Sequence, residues 1–303
     1  MNKHKVLVAD DYSKKFFDEL AKYGEVVKAS NIDDDTQLND VTILVVRSKT
    51  KVNKKLVDRM RNLKCVISAT HGTDHICLNY LQEKGIKCYN VPVQSYDVAQ
   101  GVIAYILAYS TNLVEGDRSM KRGEWKKKEL KGCRIRRKTL GIIGYGKIGR
   151  EVARMASALG MNIVVYDPYV KDNKFAVTLD ELLKKSDFMT VHVPLNEETK
   201  GMIGRNEINK MKKGAYLINS ARGGIVDEEA LLDALREGKL DGAALDVYEQ
   251  QPPFKNNVSN KLIGDEKVIA TPHSIGQTIE AVEEKGGGVI KIIRDFIERN
   301  NSS

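Results

Sequence analysis

Three glycines spaced as Gly144-x-Gly146-x-x-Gly149 follow the apolar run Leu140 to Ile143 and precede apolar residues at helical spacing, Val152, Ala153, Met155, Ala156 and Leu159. Strand, turn and helix in that order suit a chain that wraps a diphosphate. The first glycine permits the tight turn, the second lets backbone N–H groups approach the ligand, and the third lets helix pack on strand. Lys147 and Ile148, inside the same run, are cofactor-binding candidates with the glycines. A second strand, Asn162 to Tyr166, ends at Asp167, 18 residues past Gly149. A carboxylate there accepts hydrogen bonds from ribose hydroxyls and repels a 2′-phosphate, which favours NAD over NADP. Lys171 is close enough in sequence to argue the other way, and the bland reading of Asp167 is a turn residue before Pro168.

Such a site needs a parallel sheet to hold it. Short β-branched runs at Lys5 to Ala9, Ile43 to Val46, Cys65 to Ser68 and Lys87 to Asn90 alternate with helical stretches, and that alternation implies parallel strands. A second series runs Thr139 to Ile143, Asn162 to Asp167, Phe188 to Val193, Ala215 to Ser220, Gly242 to Val247 and Val268 to Thr271. Six strands are what a dinucleotide-binding domain requires. The uncharged stretch Val98 to Val114, interrupted by polar residues, reads as a helix buried between domains or subunits. A terminal helix is expected over Thr278 to Arg299, weakened in its middle by Gly286, Gly287 and Gly288. The expected fold class is therefore α/β, two Rossmann-like domains with parallel sheets flanked by helices and a cleft between them.

Bulk properties narrow the function classes. At 303 residues the chain exceeds the usual single domain. No apolar run reaches the roughly 18–20 residues that cross a bilayer, and the first residues lack the apolar length of a secretory signal. Cys65, Cys77, Cys88 and Cys133 contain no Cys-x-x-Cys pair, so no zinc site or disulfide framework is expected, and reduced thiols in a cytoplasmic protein are. The formal net charge of +8 is densest at Lys126 to Lys128 and Arg134 to Lys138. Those clusters lack interleaved aromatics, which speaks for a solvated face, or help with an anionic ligand, over nucleic acid.

Gly144 to Gly149, Asp187 to Pro194, Asn219 to Asp227, Ala244 to Val247 and Thr271-Pro272-His273 together resemble the D-isomer-specific 2-hydroxyacid dehydrogenases over nearly the whole chain. The resemblance implies a substrate-binding domain made from both chain ends, 1–96 and 275–303, and an NAD-binding domain over 97–274. It implies cofactor contacts from His192, Val193, Pro194, Ser220, Ala221, Asp246, His273 and Gly276. It assigns to Arg222 the substrate carboxylate and carbonyl, which a planar guanidinium suits. It assigns to His273 the proton given to the carbonyl oxygen on reduction and taken back on oxidation, for which an intrinsic pKa of about 6.5 serves both directions. Of the other histidines, His4 is terminal, and His75 and His192 read as core or cofactor-lining residues.

One position departs from the family. The glutamate that orients the histidine lies 29 positions after the arginine and just before a proline, and here that position is Gln251. Glu249 could take its place only by a two-residue shift. A glutamine still accepts the ring N–H and fixes the tautomer, but being neutral it stabilises imidazolium less, so a lowered histidine pKa is expected. Formate dehydrogenases of the same superfamily are similar in carrying glutamine there.

The substrate candidates lie near the start. Arg47, in Val46 to Thr50, and the segment Ala69 to Asp74 look like the substrate loops of 3-phosphoglycerate dehydrogenases. By that likeness Arg47 meets a phosphate, and the amides of Thr70, His71 and Gly72 hold the carboxylate. Ser68 stands where those enzymes often carry a second arginine. The resemblance thus implies a short 3-phosphoglycerate dehydrogenase of serine biosynthesis, with a small 2-hydroxy or 2-oxo acid as partner and a homodimer as assembly. The alternatives are a glyoxylate or hydroxypyruvate reductase and a non-catalytic NAD-sensing regulator.

Overall fold

The β-branched runs at the start of the chain pair side by side, every strand parallel to its neighbour. In this computed structural model, which describes residues 4–29, 32, 36–70, 72–170 and 173–301, contacts divide the chain into two units. One is Met1–Gln94 with Thr278–Ser303, the other Ser95–Gln277.

The first unit contains β1 (Lys5–Val8), α1 (Lys14–Leu20), β2 (Glu25–Lys28), β3 (Ile43–Val46), α2 (Lys54–Asp58), β4 (Cys65–Ser68), α3 (Leu78–Glu83), β5 (Lys87–Asn90) and α11 (Ile279–Asn301), with sheet order β2-β1-β3-β4-β5. The central strands β3 and β4 are buried throughout, as a parallel sheet covered on both faces demands. Strand β2 was not expected from the sequence. It is an edge strand with charged ends, Glu25 and Lys28, and only two half-buried valines, so it carries no long apolar run.

The expected terminal helix forms as α11 and runs through the three glycines without a break. A β-carbon on Gly288 would lie 2.5 Å from Cγ1 of Val91, and one on Gly286 3.3 Å from Phe16. The helix therefore lies closer to its neighbours than larger residues permit. Each glycine costs about 1 kcal/mol of helix propensity, while fully burying Val289 and Ile293 returns roughly 1.5–3 kcal/mol apiece.

The second unit contains α4 (Ser95–Ser110), α5 (Leu113–Lys121), β6 (Thr139–Ile143), α6 (Lys147–Ala158), β7 (Asn162–Tyr166), α7 (Leu179–Lys185), β8 (Phe188–Val191), α8 (Arg205–Lys210), β9 (Ala215–Asn219), α9 (Glu228–Arg236), β10 (Leu240–Leu245), α10 (Asn257–Gly264) and β11 (Val268–Ala270). The sheet order is β11-β10-β9-β8-β6-β7. Beyond β7, Ala176 makes a single parallel bridge to Val165. The six strands expected from the sequence, β11 included, make up this sheet, and the bridge lies outside them. Strand order reverses between β6 and β8, and ligands bind at the carboxyl ends of strands at such a point. The uncharged stretch forms α4, whose Ala99, Val102, Ile103 and Ile106 share a core with Val152, Ala153 and Ala156 of α6.

Candidate active site

The glycine loop leaves β6 at the switch point. Gly144 has φ +90, and a β-carbon there would lie 2.7 Å from the His192 carbonyl oxygen. A β-carbon on Gly149 would come within 2.2 Å of Gly144 O, whereas one on Gly146 would meet nothing within 4 Å. The first and third glycines thus close the turn, and the second leaves room in front of the backbone. No side-chain hydrogen bond caps α6 at Gly146, so its first N–H groups are left for a ligand or solvent to satisfy.

Asp167 follows β7 and accepts Tyr145 N–H at 2.7 Å on Oδ2 and Tyr169 N–H at 2.9 Å on Oδ1. Each oxygen retains a second acceptor direction for a ribose hydroxyl. The tie to the glycine loop was not legible in the sequence. Lys171 lies outside the described residues.

Two buried polar atoms support a dinucleotide here. Nδ1 of His192 and Oγ of Ser220 have no hydrogen-bond partner among the described residues. Unsatisfied buried groups are costly, so a polar ligand that completes them is favoured. Nε2 of His192 lies 3.0 Å from Oγ1 of Thr190, and burial pushes the imidazole down to about 3, which keeps it neutral. Val193 and Pro194 follow it after β8, and Ala221 follows Ser220 after β9.

The turn after β9 presents Arg222. The buried Asn219 side chain accepts Ala221 N–H at 3.1 Å and donates to Arg222 O at 3.0 Å, while Arg222 Nη1 donates to Ala221 O at 2.7 Å. Gly223 then passes so near the chain after β10 that a β-carbon would lie 1.8 Å from Tyr248 O. That second segment leads to Gln251, whose Oε1 lies 3.1 Å from Nδ1 of His273. Glu249 points elsewhere in its bonding: its N–H donates to buried Glu228, at 2.7 Å, and its side chain is exposed. Glu228 also takes the Ser259 hydroxyl, so one carboxylate fastens both sides of the Gln251 segment.

His273 has φ +55, a left-handed backbone that a non-glycine residue adopts at a cost. Flanking it, Asp246 accepts Thr271 Oγ1–H at 2.5 Å, Ser274 N–H at 2.9 Å and Ile275 N–H at 3.3 Å. Gly276 is buried, and a β-carbon there would meet Val98 at 2.6 Å. Arg222, Gln251 and His273 thus share the second unit.

The candidates of the first unit gather at the carboxyl ends of β3 and β4. Arg47 N–H donates to Asp10 Oδ2 at 2.7 Å, and burial raises the Asp10 carboxyl against the pull of Arg47 and Lys49. Thr70 donates its hydroxyl to Gly72 O at 2.7 Å, Ser68 Oγ lies 2.6 Å from Thr70 Oγ1, and His75 Nε2 lies 3.3 Å from Ser68 Oγ. Ser68 is fully buried and builds the loop. His71 lies outside the described residues. The buried Tyr12 hydroxyl, near Arg47 and Asp10, has no hydrogen bond among the described residues and was not singled out from sequence.

The basic clusters are partly neutralised locally. Lys126 pairs with Glu115 and Glu124, and Lys138 with Asp187. No group of three or more potential metal ligands occurs among the described residues, and no helix there is long and apolar enough to cross a membrane.

A parallel sheet with a glycine loop at its switch point, an acid after the next strand, and an arginine and a histidine on the loops after β9 and β11 defines a dinucleotide-binding protein of the dehydrogenase type. Residues 103–274 match the family described as D-isomer specific 2-hydroxyacid dehydrogenase, NAD binding domain. The chain is 39% identical, over 98% of its length, to the D-3-phosphoglycerate dehydrogenase of Methanocaldococcus jannaschii and covers 59% of that protein. It is 40% identical to the hydroxypyruvate reductase of Thermotoga maritima, covering 94% of this chain and 89% of that one. Its fold matches a D-lactate dehydrogenase from Aquifex aeolicus complexed with NAD and lactic acid, with TM-score 0.90, 29% identity, and coverage of 99% and 97%. The chain belongs to the D-isomer-specific 2-hydroxyacid dehydrogenase family, and NAD is the dinucleotide of its middle unit. It spans 59% and 54% of the length of two of the phosphoglycerate dehydrogenases it matches.

Proposed function

We propose that this chain interconverts a D-2-hydroxy acid and its 2-oxo acid with NAD, 3-phosphoglycerate and 3-phosphohydroxypyruvate being the leading pair. The observation that carries the reading is the His273–Gln251 pair, held in the NAD-binding unit together with the turn that presents Arg222. NAD, when bound, supplies or receives the hydride. Arg222 holds the substrate carboxylate through its planar fork and polarises the carbonyl. His273 gives its proton to the carbonyl oxygen on reduction, and Gln251, accepting Nδ1–H, orients the ring so that Nε2 performs the transfer. The Gly144 to Gly149 loop and α6 take the diphosphate, and Asp167 takes the ribose.

For the substrate, Arg47 takes the phosphate, with Lys49 adding to the local field, and the amides of the Thr70–Gly72 loop take the carboxylate. Support comes from relatives 39% and 40% identical that are named D-3-phosphoglycerate dehydrogenase. A role in serine biosynthesis follows from that substrate. Two observations favour hydroxypyruvate or glyoxylate reduction as a second reading: Ser68 is buried in place of a second cation, and Asp10 sits beside Arg47.

The division into a substrate-binding domain, 1–96 with 275–303, and an NAD-binding domain, 97–274, is supported by the contact units. A homodimer through the second unit is supported by the exposed Leu113, Met120 and Trp125. A cytoplasmic location is supported by the four free cysteines.

The test is NADH formation from NAD with 3-phosphoglycerate, D-glycerate, D-lactate and formate, and NADH consumption with hydroxypyruvate and glyoxylate. Preference for phosphoglycerate carries the leading reading, and preference for the unphosphorylated acids carries the second. Tight NAD binding with no turnover across the panel overturns both in favour of an NAD-sensing protein.

A further inference from the structure

Tyr105 and Tyr109 stand one turn apart on α4, and their hydroxyls reach the residue just past β11 and β11 itself, respectively. Tyr109 donates to Ala243 O and accepts Ile269 N–H at 3.1 Å, which ties β10 to β11 near the start of that strand. Tyr105 OH lies 2.5 Å from Oγ1 of Thr271, the residue just past its end.

Donor counting gives this contact a direction. The Asp246 carboxylate can only accept, so the proton of the Thr271 hydroxyl lies toward Asp246. Tyr105 must then be the donor to Thr271, and burial pushes its phenol up, which keeps that proton in place. The result is one directed chain, Tyr105 to Thr271 to Asp246, in which each bond polarises the next. Asp246 also holds Ser274 and Ile275, so the two sides of His273 hang from one carboxylate. The single Tyr248 hydroxyl proton is shared between Leu245 O, at 3.1 Å, and Thr271 O, at 3.2 Å. A left-handed histidine costs roughly 1–3 kcal/mol and persists only where its surroundings over-determine it.

We propose that Tyr105 is a positioning residue for proton transfer: through Thr271 and Asp246 its hydroxyl holds the left-handed backbone at His273 and so aims the imidazole. This rests on the reading of His273 as the proton donor. Tyr105 itself meets neither substrate nor reacting atoms in this scheme.

The test compares Tyr105→Phe, Thr271→Val, Thr271→Ser and the Tyr105→Phe/Thr271→Val double variant in the full chain. Three readouts are needed: kcat and KM for the acid that turns over, NAD affinity, and the His273 ring ¹H–¹⁵N signals, assigned against His273→Asn. Tyr105→Phe is expected to lower kcat about tenfold while KM and NAD affinity stay within about twofold. Thr271→Val falls similarly, the double variant falls no further, and Thr271→Ser recovers most of the activity. The His273 ring gives one set of signals in the wild type and split or broadened ones in Tyr105→Phe. Losses that multiply in the double variant, or a His273 signal indifferent to Tyr105, overturn the proposal. If the wild type turns over none of the acids, the reading of the reaction fails separately, and the His273 signals, with and without NAD, still decide the role of Tyr105.

Discussion

Gln251 Oε1 lies 3.1 Å from Nδ1 of His273, so a neutral amide occupies the place where the family's glutamate orients the ring. The amide oxygen accepts Nδ1–H as a carboxylate would, which fixes the tautomer. It brings no negative charge, so an imidazolium at His273 is less stabilised than it would be beside a carboxylate.

Gln251→Glu is therefore expected to raise the pKa governing reduction by about 1–2 units. The pH dependence of kcat/KM with the preferred 2-oxo acid reads this directly. An unmoved profile would mean that residue 251 does not bear on the titration of His273.

His192 makes stability depend on pH. Its folded-state pKa is depressed to about 3 by burial, against about 6.5 in the unfolded chain. The stability it contributes is present above the unfolded value and is lost as pH falls, because the unfolded chain binds a proton that the folded one refuses. Between about pH 7 and about pH 5 the loss amounts to about 2 kcal/mol. The Tm of wild type should fall more steeply over that interval than the Tm of His192→Gln. Parallel slopes would show that His192 does not titrate in this way.

Gly223 lets the Arg222 turn approach the chain that leads to Gln251. In Gly223→Ala the new methyl group would lie 1.8 Å from Tyr248 O, so one of the two segments must move. Stability should drop by about 1–3 kcal/mol, and kcat by about 100-fold through misplacement of Arg222. NAD affinity should fall less than kcat, because the glycine loop and Asp167 follow β6 and β7, away from Gly223. Calorimetric NAD titration beside steady-state kinetics separates these effects, and equal losses in both would point to general unfolding instead.

Arg47→Ala distinguishes the two substrate readings. Loss of charge-assisted hydrogen bonds to a phosphate should weaken kcat/KM for phosphorylated acids by about 10–100-fold. Unphosphorylated acids should change several-fold at most. Equal losses for the two classes would remove the phosphate role of Arg47.

Much of the site was legible because its parts are local in sequence. The glycine loop, Asp167, Arg222 and His273 each sit at the end of an apolar run, where a strand must stop and a loop begin, and Gln251 was placed by counting from Arg222. Strand β2 was not legible, since an edge strand with charged ends leaves no run to detect. Nor was the reason for the glycines in α11, because only the closeness of Val91 and Phe16 in space accounts for Gly286 and Gly288.

By itself the sequence determined the alternating architecture, the dinucleotide loop and the candidates for moving a proton or holding a carboxylate. These follow from periodicity and from chemistry carried within a few neighbouring residues. Only the tertiary structure decided how those residues are held: Asp246 gripping both flanks of a left-handed His273, Tyr105 reaching Thr271 across 166 positions of sequence, and Glu228 fastening the Gln251 segment. Hydrogen bonds between distant segments exist only once the sheet has brought its strand ends together, and no local pattern records them.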